Sequence, residues 1–256
     1  MTHFRTSVTA LETDTQLLCA TQLIARPGTL PTVTIPMAGS RQLDVDSIWR
    51  YLCEPAEFFG IPMPGRAELA AALAEAAARI WGGTGPALVA ISVTIAEADG
   101  ASRLLVSGAA VQPLRTEPVL IEGDDSVPQA HRATDPWWRR MAARTTSRGE
   151  LDQRERWLNR RGYADGLSDG EPMLGALVFE TPGGVVGVEN PEPTSVLDQL
   201  AQCGVLADIR RVCAPPPDAE RVWWVSPRYE THPVAELDGA RLAVADGAAP
   251  SFARWS

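Results

Sequence analysis

One stretch, residues 135–175, separates the chain into two halves and constrains its fold more than any other segment. Its sequence is DPWWRRMAARTTSRGELDQRERWLNRRGYADGLSDGEPMLG, the densest run of Arg, Trp and Thr in the chain. Its order predicts a turn with two tryptophans, a polar Arg-Thr-Thr-Ser-Arg segment, a charged helix and a following strand. We therefore expect an α+β protein with an N-terminal domain over residues 1–118, a connector over 119–136 and a C-terminal domain over 137–256.

Both halves carry the periodicities of helices and strands. Pro55 is expected to interrupt the first helix, because proline lacks the N–H that a helix interior needs. Thr194 is the expected N-cap of the last helix. Helices are predicted at residues 45–59, 66–80, 149–161 and 194–204, and strands at 32–36, 87–96, 103–110, 119–122, 174–180, 184–188, 221–226 and 240–244.

The charge and the cysteines exclude several classes of function. A formal net charge of −9 and a pI of about 4.9 argue against nucleic acid as a partner, because phosphate binding needs a positive field. The four cysteines show no zinc-site spacing, so no metal site is predicted. The sequence has no apolar run of about 20 residues and no signal-peptide pattern, so we expect a cytoplasmic protein that does not bind membranes.

The chain contains no lysine, since all 23 of its Lys and Arg residues are arginines. A genome rich in G and C accounts for such a bias without any role in function. The chemical consequence holds in either case: no side-chain amine is available for a Schiff base or as an amine nucleophile.

Several segments, in their order and spacing, resemble the class IV aminotransferase family, which includes branched-chain aminotransferases and aminodeoxychorismate lyases. The segments are Arg144-Thr145-Thr146, similar to the family's Lys-Thr-Thr/Ser; residues 161–167, similar to its strand entry; residues 223–239, similar to its C-terminal Pro-Val and Asp-Gly element; and residues 47–64, similar to its N-terminal helix. The resemblance implies fold type IV: a small N-terminal α/β domain, a larger C-terminal domain with a mixed, barrel-like sheet, and a homodimer.

Three positions depart from the family's pattern for holding pyridoxal phosphate. Arg144 stands at the position of the lysine that forms the aldimine, and an arginine stays protonated and is a poor amine nucleophile. Pro172 and Met173 stand where a glutamate faces the pyridine nitrogen. Residues 196–200 replace the glycine and threonine that cradle the phosphate. Because Arg50 alone matches its counterpart, we expect no covalent pyridoxal phosphate and no cofactor.

The resemblance also implies candidate site residues. Arg144 is expected to hold an anion as a fork, helped by Arg50, Thr145, Thr146 and Arg148. The alternatives without a ligand are that Arg144 pairs with a carboxylate of the protein and that Arg50 is exposed on its helix. His232 and Tyr163 are the candidate catalytic residues, as groups that move a proton. The paired tryptophans at 137–138 and 223–224 are more often packing or interface residues than ligand stacks.

Three functional hypotheses follow, and whether the protein is an enzyme stays open. In the first, a small anionic carboxylate binds in the old cofactor cleft and a cofactor-independent lyase, isomerase or cyclase acts on it in secondary metabolism. In the second, the chain is a non-catalytic pseudo-enzyme, as a homodimer or as the partner of an active paralogue. In the third, pyridoxal phosphate binds without a covalent bond.

Overall fold

The computed structural model describes residues 5–6, 29–38, 43–81, 88–98, 101–123, 136–147, 149–189, 195–206, 209–244 and 250–252. Contacts divide the chain into two compact units. The first unit comprises Met1–Val111 and Asp135–Gly149, and the second comprises Gln112–Thr134 and Glu150–Ser256. Arg148, a predicted ligand-binding residue, and Thr194, the predicted cap, lie outside the described residues.

In the part of the chain that the structure describes, the first unit combines a small antiparallel sheet with three helices. Among the described residues the sheet has four strands in the order β1-β4-β3-β2. Alternate residues of the strands face the helices, as a half-buried sheet requires. The elements are β1 (Arg5–Thr6), β2 (Thr32–Ala38), α1 (Val45–Phe59), α2 (Arg66–Trp81), β3 (Leu88–Ala98), β4 (Ala101–Ala110) and α3 (Trp137–Ala143). The core includes Val33, Ile35, Met37, Ile48, Leu52, Leu69, Leu73, Ile91, Val93 and Val106.

Helix α1 has defined ends and runs through its proline. The Asp44 carboxylate accepts the N–H of Ser47 at 3.1 Å and its hydroxyl at 2.7 Å, which caps the helix and lowers the pKa of Asp44. The helix ends at Gly60, which has the left-handed conformation with φ of 66°. The expected interruption at Pro55 is wrong, because the helix is continuous from Val45 to Phe59.

Helix α3 and the segment after it belong to the first unit, whereas the predicted boundaries put them in the C-terminal domain. Main-chain hydrogen bonds explain the difference. The N–H of Thr32 donates to the Arg144 carbonyl at 3.0 Å, and the N–H of Thr146 donates to the Leu30 carbonyl at 2.8 Å. These bonds extend the edge at β2, so the segment is held by residues more than 100 positions earlier in the chain.

The second unit is a large mixed sheet with two helices. In the described part of the chain, the strand order is β10-β9-β8-β11-β12-β5-β6-β7, with β13 paired to β12. The sheet curls, so that β7 at one end approaches β9 near the other. The elements are β5 (Val119–Glu122), α4 (Gly149–Arg160), β6 (Asp165–Ser168), β7 (Glu171–Pro172), β8 (Ala176–Thr181), β9 (Gly184–Glu189), α5 (Val196–Gln202), β10 (Arg210–Arg211), β11 (Arg221–Val225), β12 (Thr231–Leu237) and β13 (Ala240–Arg241).

The segment predicted as a connector supplies a central strand of this sheet. Strand β5 pairs in parallel with β12 on one side and with β6 on the other. Ile121 of β5 is fully buried among Leu177, Phe179 and Trp224. The small antiparallel sheet and the large curled sheet confirm the predicted α+β class and the two-part, fold type IV architecture.

Candidate functional site

Arg144 ends α3 and is tied to α1 through its side chain. Its guanidinium donates through Nη1 to the Glu54 carboxylate and through Nη2 to the Tyr51 carbonyl. It also lies 4.0 Å from the centre of the Tyr51 ring. The Arg144 side chain is 11% exposed and that of Glu54 is 53% exposed. The Arg144 Nε–H is buried and has no hydrogen-bond partner among the residues that the structure describes.

The Tyr51 carbonyl needs this donor because of Pro55. In a helix the carbonyl of residue 51 accepts from the N–H of residue 55, and proline has none. Arg144 supplies the missing hydrogen bond from outside the helix. The residue at the expected lysine position is therefore part of what keeps α1 continuous.

The two threonines after Arg144 also serve the fold. The Thr145 hydroxyl donates to the Ala142 carbonyl at 2.7 Å and accepts the N–H of Ser147 at 3.0 Å. The Thr146 hydroxyl accepts the N–H of Leu30 at 3.3 Å. Thr145 is fully buried, so its bonds to the main chain satisfy a group that water does not reach.

Arg50 is exposed on α1 and stays with its own helix. Its Nε donates to the Asp46 carbonyl at 3.3 Å and its Nη2 to the Ser47 hydroxyl at 3.3 Å. Residues four apart share a helix face, so Arg50 and Arg144 both lie beside the Glu54 side of α1. The described contacts of the Arg50 guanidinium are to Asp46 and Ser47, whereas Arg144 contacts Glu54 and the Tyr51 carbonyl.

His232 and Tyr163 lie in the second unit, on either side of β5. A carbonyl oxygen only accepts, so the contact at 3.2 Å between His232 Nδ1 and the Glu117 carbonyl puts the proton on Nδ1. Burial lowers the pKa of His232, and the Glu117 carbonyl opposes this. Tyr163 precedes β6 and is half-buried. Because β5 lies between β12 and β6, His232 and Tyr163 do not belong to neighbouring strands.

A fully buried carboxylate, Asp165, is the best-organised polar group of the second unit and was not among the predicted site residues. It accepts main-chain N–H groups from Gly166 (2.8 Å), Met173 (3.2 Å), Leu174 (3.0 Å) and Gly175 (2.8 Å). It also accepts the indole N–H of Trp224 at 2.9 Å. Burial raises the pKa of Asp165 to about 6, and these hydrogen bonds oppose the rise.

The geometry around Asp165 requires a glycine at position 175. A Cβ there would lie 2.3 Å from the Val225 carbonyl oxygen and 2.7 Å from the Trp224 Nε1. The absent side chain lets the main chain of residues 173–175 reach the carboxylate beside the indole. In the family a glutamate at the position of Pro172 and Met173 faces the cofactor. Here the main chain of residues 173–175 faces the Asp165 carboxylate.

The start of α5, where the expected phosphate cradle of the family is replaced, is occupied by the chain's own side chains. The Glu189 carboxylate accepts the N–H of Leu197 at 3.2 Å and the hydroxyl of Ser195. Ser195 is the N-cap and accepts the N–H of Asp198 at 3.0 Å. Arg211 pairs with Glu189 and Asp198. Burial raises the pKa of Glu189, and Ser195 and Arg211 oppose this.

Among the described residues, no group of three or more His, Cys, Asp and Glu side chains is arranged to hold a metal ion. None of their helices is both long enough and apolar enough to cross a membrane.

Comparison with solved structures shows the fold. The apo form of a hypothetical aminotransferase from Mycobacterium tuberculosis matches over 96% of this chain and 94% of that chain, with a TM-score of 0.66 and 20% identity. A fold IV-transaminase from Curtobacterium pusillum matches over 87% and 84%, with a TM-score of 0.58 and 20% identity. The branched-chain amino acid aminotransferase from Escherichia coli matches over 87% and 81%, with a TM-score of 0.56 and 14% identity. By sequence, no protein-family model and no curated protein matches the chain.

The expectation of no cofactor is contradicted by these comparisons. Two further structures that match this chain are of a hypothetical aminotransferase from M. tuberculosis. One is a PLP-bound form, and the other is bound to α-ketoglutarate and PMP. The missing lysine excludes only the covalent bond to a side chain, and an amine such as pyridoxamine phosphate is held without that bond.

The described residues do not fit the covalent form. No lysine exists in the chain, the Arg144 guanidinium is paired with Glu54 and Tyr51, and the N–H groups at the start of α5 are bonded to Glu189 and Ser195. The two sheets and the solved structures agree on the fold. The chain has the fold of the class IV aminotransferases.

Proposed function

We propose that this chain uses the class IV aminotransferase fold as a non-catalytic subunit that assembles with a second copy of itself. The observation that carries the proposal is the internal pairing of Arg144. The position expected to supply the reactive amine instead supports α1, through the Tyr51 carbonyl and Glu54. No other side-chain amine exists in the chain to take over lysine-dependent chemistry.

An aromatic face on the first unit supports assembly. Phe58 of α1 is 42% exposed, and Trp137 and Trp138 of α3 are 48% and 60% exposed. The two helices pack against each other, and we assign these exposed side chains to one surface. Exposed aromatic clusters of this kind mark protein interfaces more often than they mark free surface.

The charges beside these aromatics favour a second copy over a partner of one charge sign. Glu57 precedes Phe58 and is exposed, and the Arg140 guanidinium lies 5.2 Å from the centre of the Trp137 ring. A two-fold interface sets a patch against itself, so a patch that carries both signs is self-complementary. We therefore assign the face of Phe58, Trp137 and Trp138 to the contact between copies.

The first test asks whether any side chain forms a Schiff base. The purified chain is incubated with pyridoxal phosphate, reduced with borohydride and mapped by peptide mass spectrometry. We expect modification at the N-terminal amine alone. Amine transfer from an amino acid to an oxo acid by the chain on its own would overturn the proposal. Cofactor that stays bound through dialysis without a covalent bond agrees with it.

The second test measures assembly by sedimentation velocity. We expect a dimer whose dissociation constant rises at least about tenfold in Trp138→Ser, because a central aromatic contributes more than about 1.4 kcal/mol. Trp157→Ser is the control, since Trp157 lies on α4 and stacks with Arg161 there. A chain that is monomeric at high micromolar concentration would exclude the second copy.

A second candidate function, binding of a small anionic carboxylate at Arg144, is favoured by one observation. The carboxylate now on Arg144 belongs to Glu54, which is half-exposed, and the Nε–H beside it is unpaired among the described residues. A ligand carboxylate that replaced Glu54 would gain a fork of donors.

Isothermal titration with benzoate and with pyridoxamine phosphate tests this candidate. Glu54→Gln removes the internal competitor, so affinity is expected to rise several-fold. Glu57→Gln, one residue before Phe58 on the same helix, is the matched control and should leave affinity unchanged. No binding to the wild type or to Glu54→Gln rules the candidate out and leaves the first proposal standing.

A further inference from the structure

The cluster around Asp165 holds more donors than a protonated carboxyl can serve. The carboxylate accepts four main-chain N–H groups and one indole N–H. An ionised carboxylate offers about four acceptor sites and no hydrogen, so it suits such a cage. A protonated carboxyl adds a hydrogen that itself needs an acceptor, and every described partner of Asp165 is a donor.

We propose that Asp165 is a proton-operated lock, which holds residues 173–175 and the Trp224 indole together when ionised and releases at least one of them when protonated. Gly175 and Trp224 are the contacts at Oδ2, at 2.8 Å and 2.9 Å. Leu174 bridges both oxygens, at 3.0 Å and 3.2 Å. Release at Oδ2 therefore frees the indole or the turn before β8.

The lock sits at a balance between two opposing effects. A fully buried carboxylate without donors has a pKa several units above its ordinary value, whereas one that accepts two or three main-chain N–H groups has a pKa well below it. At Asp165 both conditions hold, and its pKa of about 6 lies near physiological pH. Small changes in proton concentration therefore change its charge.

Neighbouring ionisable groups do not supply a counter-ion. Elements packed against Asp165 carry several charged or titratable side chains, yet none of them hydrogen bonds to it in the described part of the chain. The groups are Glu122 on β5, which pairs with Arg161; Glu171 on β7; Arg221 on β11, which pairs with Glu180; and His232 and Glu236 on β12.

His232 needs separate attention, because its ring lies 5.6 Å from the Trp224 ring. It is the neighbour able to imitate the effect of Asp165, since histidines titrate in the same range. His232 also responds to the lock, because a Trp224 indole released from Asp165 changes the surroundings of the His232 ring. Asp165, Trp224 and His232 all lie in the second unit, so the lock is independent of Arg144 and of the proposed assembly.

The test follows the Trp224 indole N–H by ¹⁵N NMR of the whole chain between pH 5 and 8. Loss of one signal in Trp224→Phe assigns it. We expect the Trp224 signal to shift with a midpoint near pH 6, to keep that shift in His232→Gln, and to lose it in Asp165→Asn. A pH-independent indole signal, or a shift that survives Asp165→Asn, overturns the lock.

A second measurement covers the case in which Asp165→Asn does not fold. The side-chain carboxyl of Asp165 is followed by ¹³C NMR in the wild type and in Trp224→Phe. Removing a donor to the ionised form raises the pKa of the acid. We expect the Asp165 midpoint to move to higher pH in Trp224→Phe, and an unmoved midpoint contradicts the assigned contact.

Discussion

Arg144 donates a hydrogen bond to the main-chain carbonyl of Tyr51, 93 positions earlier in the chain. That carbonyl lies one helical turn before Pro55, which has no N–H to donate to it. An arginine at this position and a proline on the facing helix are therefore matched features. The pairing assigns Arg144 a structural task that is independent of any ligand.

The match between Arg144 and Pro55 predicts energetic coupling. Arg144→Met should lower the free energy of unfolding by about 2 kcal/mol, because it removes the charged donor of the part-buried hydrogen bond to the Tyr51 carbonyl. Pro55→Ala supplies the missing N–H, so the same substitution in that background should cost about 1 kcal/mol less. Urea denaturation of the four proteins measures the coupling, and a coupling energy of zero contradicts the pairing. Arg50→Met, on the exposed side of α1, should change stability by under about 0.5 kcal/mol.

Restoring an amine at position 144 should not restore cofactor chemistry. Arg144→Lys is expected to pair with Glu54 and the Tyr51 carbonyl, as the arginine does. With added pyridoxal phosphate we expect no visible aldimine absorbance that survives dialysis, and no borohydride-trapped adduct at position 144. An aldimine at that position would show that the site has kept its old geometry, and would count against the non-catalytic subunit.

The fold was predictable because short segments carry its helical and strand patterns and because the motifs occur in the family's order. Helices 45–59 and 66–80 carry apolar residues at helical spacing, and the motif order around residues 135–175 is similar to that of the family. Pro55 shows the limit of such reasoning. Its effect on α1 depends on Arg144, which no short-range pattern connects to it.

The polar cluster around Asp165 was harder to predict from the sequence than the fold. Asp165 is surrounded by donors from residues 173–175 and by an indole 59 positions later, so its cage exists only after β6, β8 and β11 have assembled. The N-cap of α5 is Ser195 rather than the predicted Thr194, because Ser195 accepts from Asp198. The missing lysine leaves no side-chain amine for a covalent bond, and the loss of covalent chemistry stays a prediction. The expected absence of any cofactor went beyond what that residue determines and is contradicted by the PLP-bound and PMP-bound structures.

Stability should depend on pH through Asp165. Its folded-state pKa of about 6 exceeds the ordinary value of 3.8, so the folded protein binds the proton more tightly than the unfolded chain does. The contribution of Asp165 is thus largest below about pH 4 and is lost as pH rises through about 6. The difference amounts to about 3 kcal/mol. The lock therefore opens in acid without this residue weakening the fold.

Urea denaturation of the wild type and Asp165→Asn across pH 4–7 measures that dependence. The wild-type free energy of unfolding should fall relative to that of the variant as pH rises, by up to about 3 kcal/mol. Contributions from other groups, including Glu189, are common to both proteins and cancel. Parallel curves for the two proteins would mean that Asp165 does not change its charge in this range.

Gly175 should tolerate no side chain. Gly175→Ala places a Cβ against the Val225 carbonyl oxygen and the Trp224 indole nitrogen, both closer than 3.0 Å, and one of these atoms is main chain of a central strand. The segment must withdraw from Asp165, which leaves a buried carboxylate short of donors. We expect a loss of about 3 kcal/mol or more, measured by urea denaturation. Gly183→Ala is the matched control: its nearest neighbour, the Thr181 hydroxyl, lies at 3.7 Å, so stability should change by under about 0.5 kcal/mol. Equal effects at the two glycines would show that the cage around Asp165 is not tightly packed.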